Sequence, residues 1–289
     1  MIRRKKFRLR LPSRTLVLGE RTLIMGVLNV TPDSFSDGGQ FFDARSAVEH
    51  AFQMERAGAD ILDIGGESTR PGSRGISAQQ ELDRILPVLD QLSGRLKIPI
   101  SVDTQKAEVV EAAVKAGAEI INDVSALRFD PELAKIACRH RLPIILMHMR
   151  GAPRTMQQGP FARNVLRDVT RGLREALTRA KRAGIAKSQI VLDPGIGFGK
   201  NYAQNFELLA RLPELARFGC PLLVGTSRKA FIGHALSGVT AEQRIWGTAA
   251  AVAASIFGGA HIVRVHDVAE MTQVAKIADR IANIAPKSL

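Results

Sequence analysis

From Leu23 onward one pattern recurs: a short apolar run, a polar residue that closes it, a loop, then apolar residues at helical spacing. The runs lie at 23–28, 61–64, 98–102, 119–121, 144–147, 190–192, 222–224 and 262–265. Such short apolar runs, bounded by turn residues, read as buried strands. The segments between them, among them 44–57, 78–92, 106–115, a stretch opening near Pro131, 161–182 and 249–256, read as helices. Strands that alternate with helices pair in parallel, because parallel neighbours need a crossover connection. Eight such units in about 260 residues fit a closed (β/α)8 TIM barrel, with a doubly wound open sheet as the alternative. Ahead of the first unit, Phe7, Leu9 and Leu11 alternate before Pro12-Ser13, and Leu16-Val17-Leu18 follow, which predicts a short β-hairpin. No linker or composition break divides the chain. Residues 1–22 therefore read as a basic arm with a hairpin, and 23–285 as a single barrel domain.

The bulk properties narrow the function classes. With 24% charged and 45% hydrophobic residues in 289, the chain has an ordinary globular balance and enough length for a large core. A formal charge of +13 is not ordinary. Part of the excess sits in MIRRKKFRLR at the N-terminus and part in 163–182. In the second stretch Val165, Leu166, Val169, Leu173 and Leu177 keep helical spacing, so its arginines read as the wet face of an amphipathic helix. One Trp and one Tyr leave little for stacking on bases, and nucleic acid is not the expected partner. The basic N-terminus lacks an apolar h-region, and no run of about 18 apolar residues suggests a membrane span. Cys138 and Cys220 are isolated, with neither metal-ligand spacing nor a disulfide framework, so a reducing, cytoplasmic setting is expected.

The first strand runs into GVLNVTPDSFSDGG, residues 26–39. Asn29 ends it, and Thr31-Pro32-Asp33-Ser34 and Ser36-Asp37-Gly38-Gly39 are turn chemistry around a single apolar residue, Phe35. A long polar loop at the C-terminal end of a buried strand suits a ligand-covering segment. Every other strand also ends in polar residues: Asp63 leading to Glu67, Thr69 and Arg70; Asp103; Asn122 and Asp123; His148; Asp193; Ser227, Arg228 and Lys229; Arg264 and His266. Singly, each has a structural reading as a cap or a satisfied core group. Polar groups at all eight ends, which a barrel brings to one face, point to a site, since buried charge is costly unless paired and stability alone would not place it at every end.

Residue types then indicate the ligand. Asp103, Asn122 and Asp193 suit a flat heterocycle with amidine-like N–H edges, since a carboxylate accepts two parallel N–H bonds. Lys229, Arg70, Arg264 and His266 offer cationic donors to an anion. Ser227 looks like the cap of a following helix, itself an anion site. The expected substrate is part heterocycle and part phosphate. Gly195-Ile196-Gly197-Phe198-Gly199-Lys200 lacks both the P-loop spacing and the dinucleotide fingerprint, and His148 and His266 have no zinc-ligand spacing.

In order along the chain, GVLNVTPDSFSDGG (26–39), GGESTRPG (65–72), SVDT (101–104), INDV (121–124), LMHM (146–149), DPGIGFGK (193–200), SRK (227–229) and RVHD (264–267) resemble the dihydropteroate synthase family of pterin-binding barrels. The resemblance implies a folate-pathway transferase. It would join 4-aminobenzoate to (7,8-dihydropterin-6-yl)methyl diphosphate and release pyrophosphate by a dissociative displacement. Carried over motif by motif, it implies that Asp103, Asn122, Asp193 and Lys229 bind the pterin, with Met147 and Phe198 beside it. Asn29 would ligate Mg2+ with the diphosphate, whose charge Arg70, Arg264 and His266 would take. Thr69, Arg70, Pro71, Ser227 and Phe35 would contact the aminobenzoate. Asp103, Lys229 and Asp33 would act in catalysis, with Asp33, Ser34 and Phe35 in a lid. A homodimer and sensitivity to aminobenzoate-mimicking sulfonamides are further implications. Thr226 in GTSRK is a departure from the pattern, and the basic arm lies outside it. A methyltetrahydrofolate-dependent methyltransferase barrel is the alternative enzyme, but it would not account for the 31–36, 69–71 and 227–229 segments. A nucleic-acid binder built on the arm is the alternative outside enzymes.

Overall fold

The computed structural model describes residues 4–31, 44–70 and 72–284. The chain opens with an antiparallel hairpin, β1 (Phe7–Arg10) and β2 (Thr15–Leu18). Eight parallel strands follow: β3 (Leu23–Asn29), β4 (Ile61–Gly65), β5 (Ile100–Asp103), β6 (Ala118–Asp123), β7 (Ile144–Met147), β8 (Ile190–Asp193), β9 (Leu223–Gly225) and β10 (Ile262–Val265). Sequence neighbours pair all along the sheet except β8 with β9, and β10 pairs with β3. The ring closes between β8 and β9 through a parallel bridge from Leu192 to Leu222, with Leu192 N–H donating to the Pro221 carbonyl at 2.9 Å. The (β/α)8 barrel is therefore the architecture, and the open-sheet alternative is excluded.

Helices line the outside: α1 (Ala44–Arg56), α2 (Ala78–Leu92), α3 (Ala107–Lys115), α4 (Glu132–Arg139), α5 (Val165–Arg182), α6 (Tyr202–Ala210), α7 (Ala230–Ala235), α8 (Ile245–Phe257) and α9 (Val268–Ala282). The basic segment is the amphipathic α5, burying Val165, Leu166, Val169, Leu173, Ala176 and Ala180. It begins four residues later than the apolar spacing suggests, where the Asn164 side chain accepts from Arg167 N–H. Strand β5 likewise starts at Ile100 rather than 98, since Pro99 has no N–H to donate to a neighbour. Among the described residues no helix is long and apolar enough to cross a membrane.

The barrel interior follows from the two-residue period of a strand. Leu23, Met25, Ile61, Ile120, Ile145, Val191, Leu223 and Ile262 form an inner apolar cluster with Leu9, Leu11 and Leu18 of the hairpin region. The hairpin thus stoppers the N-terminal end of the barrel. Two residues further along five of these strands stand Asp63, Asn122, Met147, Asp193 and Arg264, so the next interior layer, towards the C-terminal end, is polar except at Met147. The basic arm is tied into this base. Arg4, its side chain only 3% exposed, pairs with Asp279 of α9 at 2.5 Å and donates to Thr22 Oγ1 at 2.6 Å. His261 Nε2 lies 3.0 Å from the Lys5 carbonyl. A buried arginine with a carboxylate and a hydroxyl partner is a structural charge, which accounts for part of the basic excess.

Because Leu18 is fully buried in the stopper, Leu18→Ala is expected to destabilise the chain by about 2–5 kcal/mol. Urea denaturation checks this, and a loss within about 0.5 kcal/mol would mean that the hairpin is not part of the cooperative core.

Candidate active site

The polar layer is organised by one guanidinium. Arg264 of β10 donates through Nε to Asp63 Oδ2 at 2.6 Å and through Nη2 to Asp103 Oδ2 at 2.7 Å. Asn122 donates its amide to the same Asp63 oxygen at 2.9 Å. The second oxygens, Asp63 Oδ1 and Asp103 Oδ1, are buried and have no hydrogen-bond partner among the described residues. A buried carboxylate oxygen left bare costs about 1–3 kcal/mol, so these atoms mark acceptors kept for a ligand. Burial pushes Asp103 up to about 7, against the pull of Arg264. Burial also raises Asp193, although its Oδ1 accepts from Gly195 N–H at 2.6 Å and Lys229 is near.

Lys229 reaches this layer from the N-terminal side of α7. Its Nζ donates to the Ile196 carbonyl at 2.6 Å and stands 4.1 Å from the centre of the Phe198 ring, a cation–π contact. Burial lowers it to about 8, partly offset by Asp193. The 195–199 loop that receives it needs its glycines: Gly195 has φ +66° and Gly197 has φ +84°. A side chain at Gly195 would overlap the carbonyl oxygen of His148, and one at Gly197 would meet Lys229 Cδ at 2.8 Å. The glycine pattern is thus a support for Lys229 and Phe198 and not a nucleotide cradle. Beside it Met147, Met149, Met156 and Val124 make an apolar wall against which Phe198 packs.

The remaining sequence candidates border the same face. Asn29 is half-buried at the end of β3, in register with Gly65. Thr69 is half-buried and Arg70 exposed on the 66–70 loop. That loop is held at its base: Lys106 Nζ pairs with Glu67 and with the fully buried Glu81, and Arg84 donates to the Gly66 carbonyl at 2.7 Å. Ser227 is not a helix cap, a correction to the sequence reading. The helix begins at Ala230 with Lys229 before it, while Ser227 Oγ accepts from His266 N–H at 3.2 Å and lies 3.1 Å from its Nδ1. Arg228 is turned outward, forked onto Asp267. His266 also differs from the cationic donor expected. Burial beside Arg264 and Arg228 lowers it to about 3, so it presents a neutral imidazole at pH 7. Asp33, Ser34, Phe35 and Pro71 lie outside the described residues.

Among the described residues the face therefore joins bare carboxylate oxygens, an amide, a lysine over an aromatic ring and an apolar wall. It is the site of a barrel enzyme that holds a flat, N–H-rich heterocycle. A family model described as pterin binding enzyme matches residues 25–266. The dihydropteroate synthase of Synechocystis sp. is 48% identical over 263 residues, covering 91% of this chain and 91% of its own length. The crystal structure of the Yersinia pestis dihydropteroate synthase with a sulfonamide drug complex superposes with a TM-score of 0.90 at 44% identity, covering 96% of this chain and 100% of that one. The Xanthomonas albilineans dihydropteroate synthase with 4-aminobenzoic acid gives a TM-score of 0.90 at 43% identity, covering 97% and 100%. The chain belongs to the dihydropteroate synthase family.

Asp63 carries more than its sequence context suggested. It stands among the polar strand ends without an assigned role, yet it is the second anchor of Arg264. The legible signal is its place in Ile61-Leu62-Asp63-Ile64-Gly65, a lone carboxylate in a wholly buried strand.

Gly195→Ala is expected to lose pterin-site function, because its backbone sits at φ +66° against the His148 carbonyl. Gly94→Ala, which is also at positive φ but meets nothing within 4 Å, serves as the strain-only control. Equal turnover in the two variants would contradict the loop's supporting role.

Proposed function

We propose that the chain condenses (7,8-dihydropterin-6-yl)methyl diphosphate with 4-aminobenzoate, giving 7,8-dihydropteroate and pyrophosphate. The observation that carries this reading is the pair of bare, buried carboxylate oxygens on Asp63 and Asp103, held open by Arg264 beside Asn122 and Asp193. That donor-poor, acceptor-rich floor matches the N–H-rich edge of a pterin. Asp103, Asn122, Asp193 and Lys229 bind the ring in this reading, with Met147 and Phe198 against its faces.

In the displacement the bond from the methylene carbon to the diphosphate oxygen breaks, and its electron pair leaves with the diphosphate. The carbon left behind is conjugated to an electron-rich ring, so positive charge spreads over the pterin, where ionised Asp103 favours it. The amine of 4-aminobenzoate, neutral at pH 7, supplies its lone pair to form the new C–N bond and then loses a proton. It needs positioning more than deprotonation. Thr69, Arg70, Pro71, Ser227 and Phe35 are the proposed aminobenzoate contacts, with Asp33 in the covering loop. This reading also extends sulfonamide sensitivity to the chain.

Arg70, His266 and Arg264 are the proposed diphosphate contacts, with His266 donating as a neutral imidazole. Among the described residues no group of three or more His, Cys, Asp or Glu side chains could hold a metal. The oxygen donor at this rim is the Asn29 amide. One neutral oxygen fits Mg2+, which keeps several waters and binds through substrate phosphates. When bound there, Mg2+ would neutralise charge on the leaving diphosphate.

An apolar groove of about 660 Å3 between α6, α7 and α8, lined by Phe206, Ile232, Leu236, Ala250, Ala254 and Phe257, supports a homodimer through this face. Trp246, 81% exposed on α8, extends the apolar surface. A cytoplasmic setting follows from the substrates, which are pathway intermediates.

Turnover with the pterin diphosphate and labelled aminobenzoate tests the reaction. Asp103→Asn and Lys229→Ala are each expected to lower kcat/KM by about 100-fold or more, and EDTA to suppress product until Mg2+ is restored. Retained activity in both variants contradicts the site assignment. Asp103 must be ionised and Lys229 protonated, so kcat/KM for the pterin should rise through about pH 7 and fall above about pH 8. A profile flat across that span contradicts it. Sedimentation of the purified chain is expected to give a dimer that Ala254→Arg converts to monomer, and a monomeric wild type contradicts the interface.

A further inference from the structure

Lys200 is a buried amine that the proposed reaction does not use, and burial lowers it to about 7, against the pull of Asp193. It is 3% exposed, and no carboxylate among the described residues pairs with it. Its Nζ lies 2.8 Å from the Gly195 carbonyl, 3.0 Å from the Phe198 carbonyl and 3.1 Å from His148 Nδ1. The His148 carbonyl is a fourth, longer contact at 3.4 Å, so the three N–H groups of an ammonium are all engaged, one of them shared. An amine buried without a paired carboxylate is costly, so its place calls for a compensating role.

The three acceptors belong to two elements. Gly195 and Phe198 are in the loop after β8, and His148 follows β7. With Lys200 charged, His148 Nδ1 is the acceptor and the ring proton sits on Nε2, which faces Asp168 Oδ2 of α5 at 3.6 Å. Between the two loop carbonyls held by Lys200 lies Ile196, whose carbonyl accepts from Lys229, and at the far end is the Phe198 ring under Lys229 Nζ. Gln157, in the segment between β7 and α5, adds a bond to the same loop, Nε2 to the Gly197 carbonyl at 2.9 Å. Asp193 Oδ1 accepts from Gly195 N–H and Asn205 Oδ1 from Gly197 N–H, each at 2.6 Å, while Lys200 ties the loop's carbonyls to His148 beyond β7.

We propose that Lys200 is a positioning residue, clamping the 195–198 loop to His148 so that Lys229 and Phe198 present one fixed surface to the pterin. The inference rests on the reading of Lys229 and Phe198 as pterin contacts. It predicts that loss of Lys200 affects the pterin and leaves the aminobenzoate side nearly unchanged. It also predicts that the effect passes through Lys229.

The test is a double-mutant cycle on the full chain, with pteroic acid as the calorimetric probe and steady-state kinetics alongside. Lys200→Met keeps the length and removes the donors. It is expected to weaken pteroic acid binding by about tenfold and to raise KM for the pterin diphosphate similarly, with KM for aminobenzoate changed less than about twofold. In a Lys229→Ala background the same substitution should cost less than about twofold. A tenfold loss in both backgrounds, or equal shifts for both substrates, overturns the clamp. If Lys200→Met does not fold, Lys200→Gln enters the same cycle, where its shorter amide should give a smaller loss that again vanishes without Lys229; additivity overturns the clamp there too. Wild-type chain that fails to bind pteroic acid, or a Lys229→Ala variant that binds it as the wild type does, overturns the underlying reading instead.

Discussion

Everything at the C-terminal face depends on Arg264 standing between Asp63 and Asp103. Two carboxylates this deeply buried could not both stay ionised without a cation, and a cation there would be as costly without them. Arg264 satisfies one oxygen on each and leaves the other bare. Removing one partner from such an arrangement costs about 3–5 kcal/mol, because the remaining charge is stranded. The rigid fork of arginine matters as much as its charge, since it fixes the spacing of the two acceptors. The site is therefore preorganised by the barrel and does not need a ligand to assemble its floor.

The barrel makes this possible by dividing its interior into two layers. The hairpin leucines and inward residues of seven strands form a dry stopper. Two residues later β4, β8 and β10 carry Asp63, Asp193 and Arg264, shielded from the bottom by that stopper. Low surrounding polarity strengthens each interaction of the upper layer and shifts its titrations, which is why Asp103 rises and Lys229 falls toward neutrality. The glycine loop then brings Lys229 in from the helix side, where a strand residue could not reach.

Much of this was legible in the sequence because the signal was periodic. Apolar runs ending in single polar residues placed the eight strands within about two residues and put Asp103, Asn122, Asp193 and Lys229 on one face. Less of the local chemistry was legible. Helix α6 was missed, since its start depends on a capping box between Asn201 and Gln204 and its face exposes Tyr202 and Phe206. Ser227 resembled a cap until its hydroxyl was found on His266. The neutrality of His266 depends on burial beside two arginines brought in by the fold, and Arg4 finds Asp279 across nearly the whole chain. Lys200 was invisible for the same reason: its three acceptors are a histidine and two carbonyls, which leave no pattern in a sequence.

The most direct test of the central claim is a crystal structure of the chain with pteroic acid bound. The account predicts a pterin N–H on the bare Oδ1 of Asp103, with Asn122 and Asp193 on the remaining edge and Arg264 still bonded to both Asp63 and Asp103. A pterin bound away from these carboxylates, or an Arg264 that has released both of them, would contradict it.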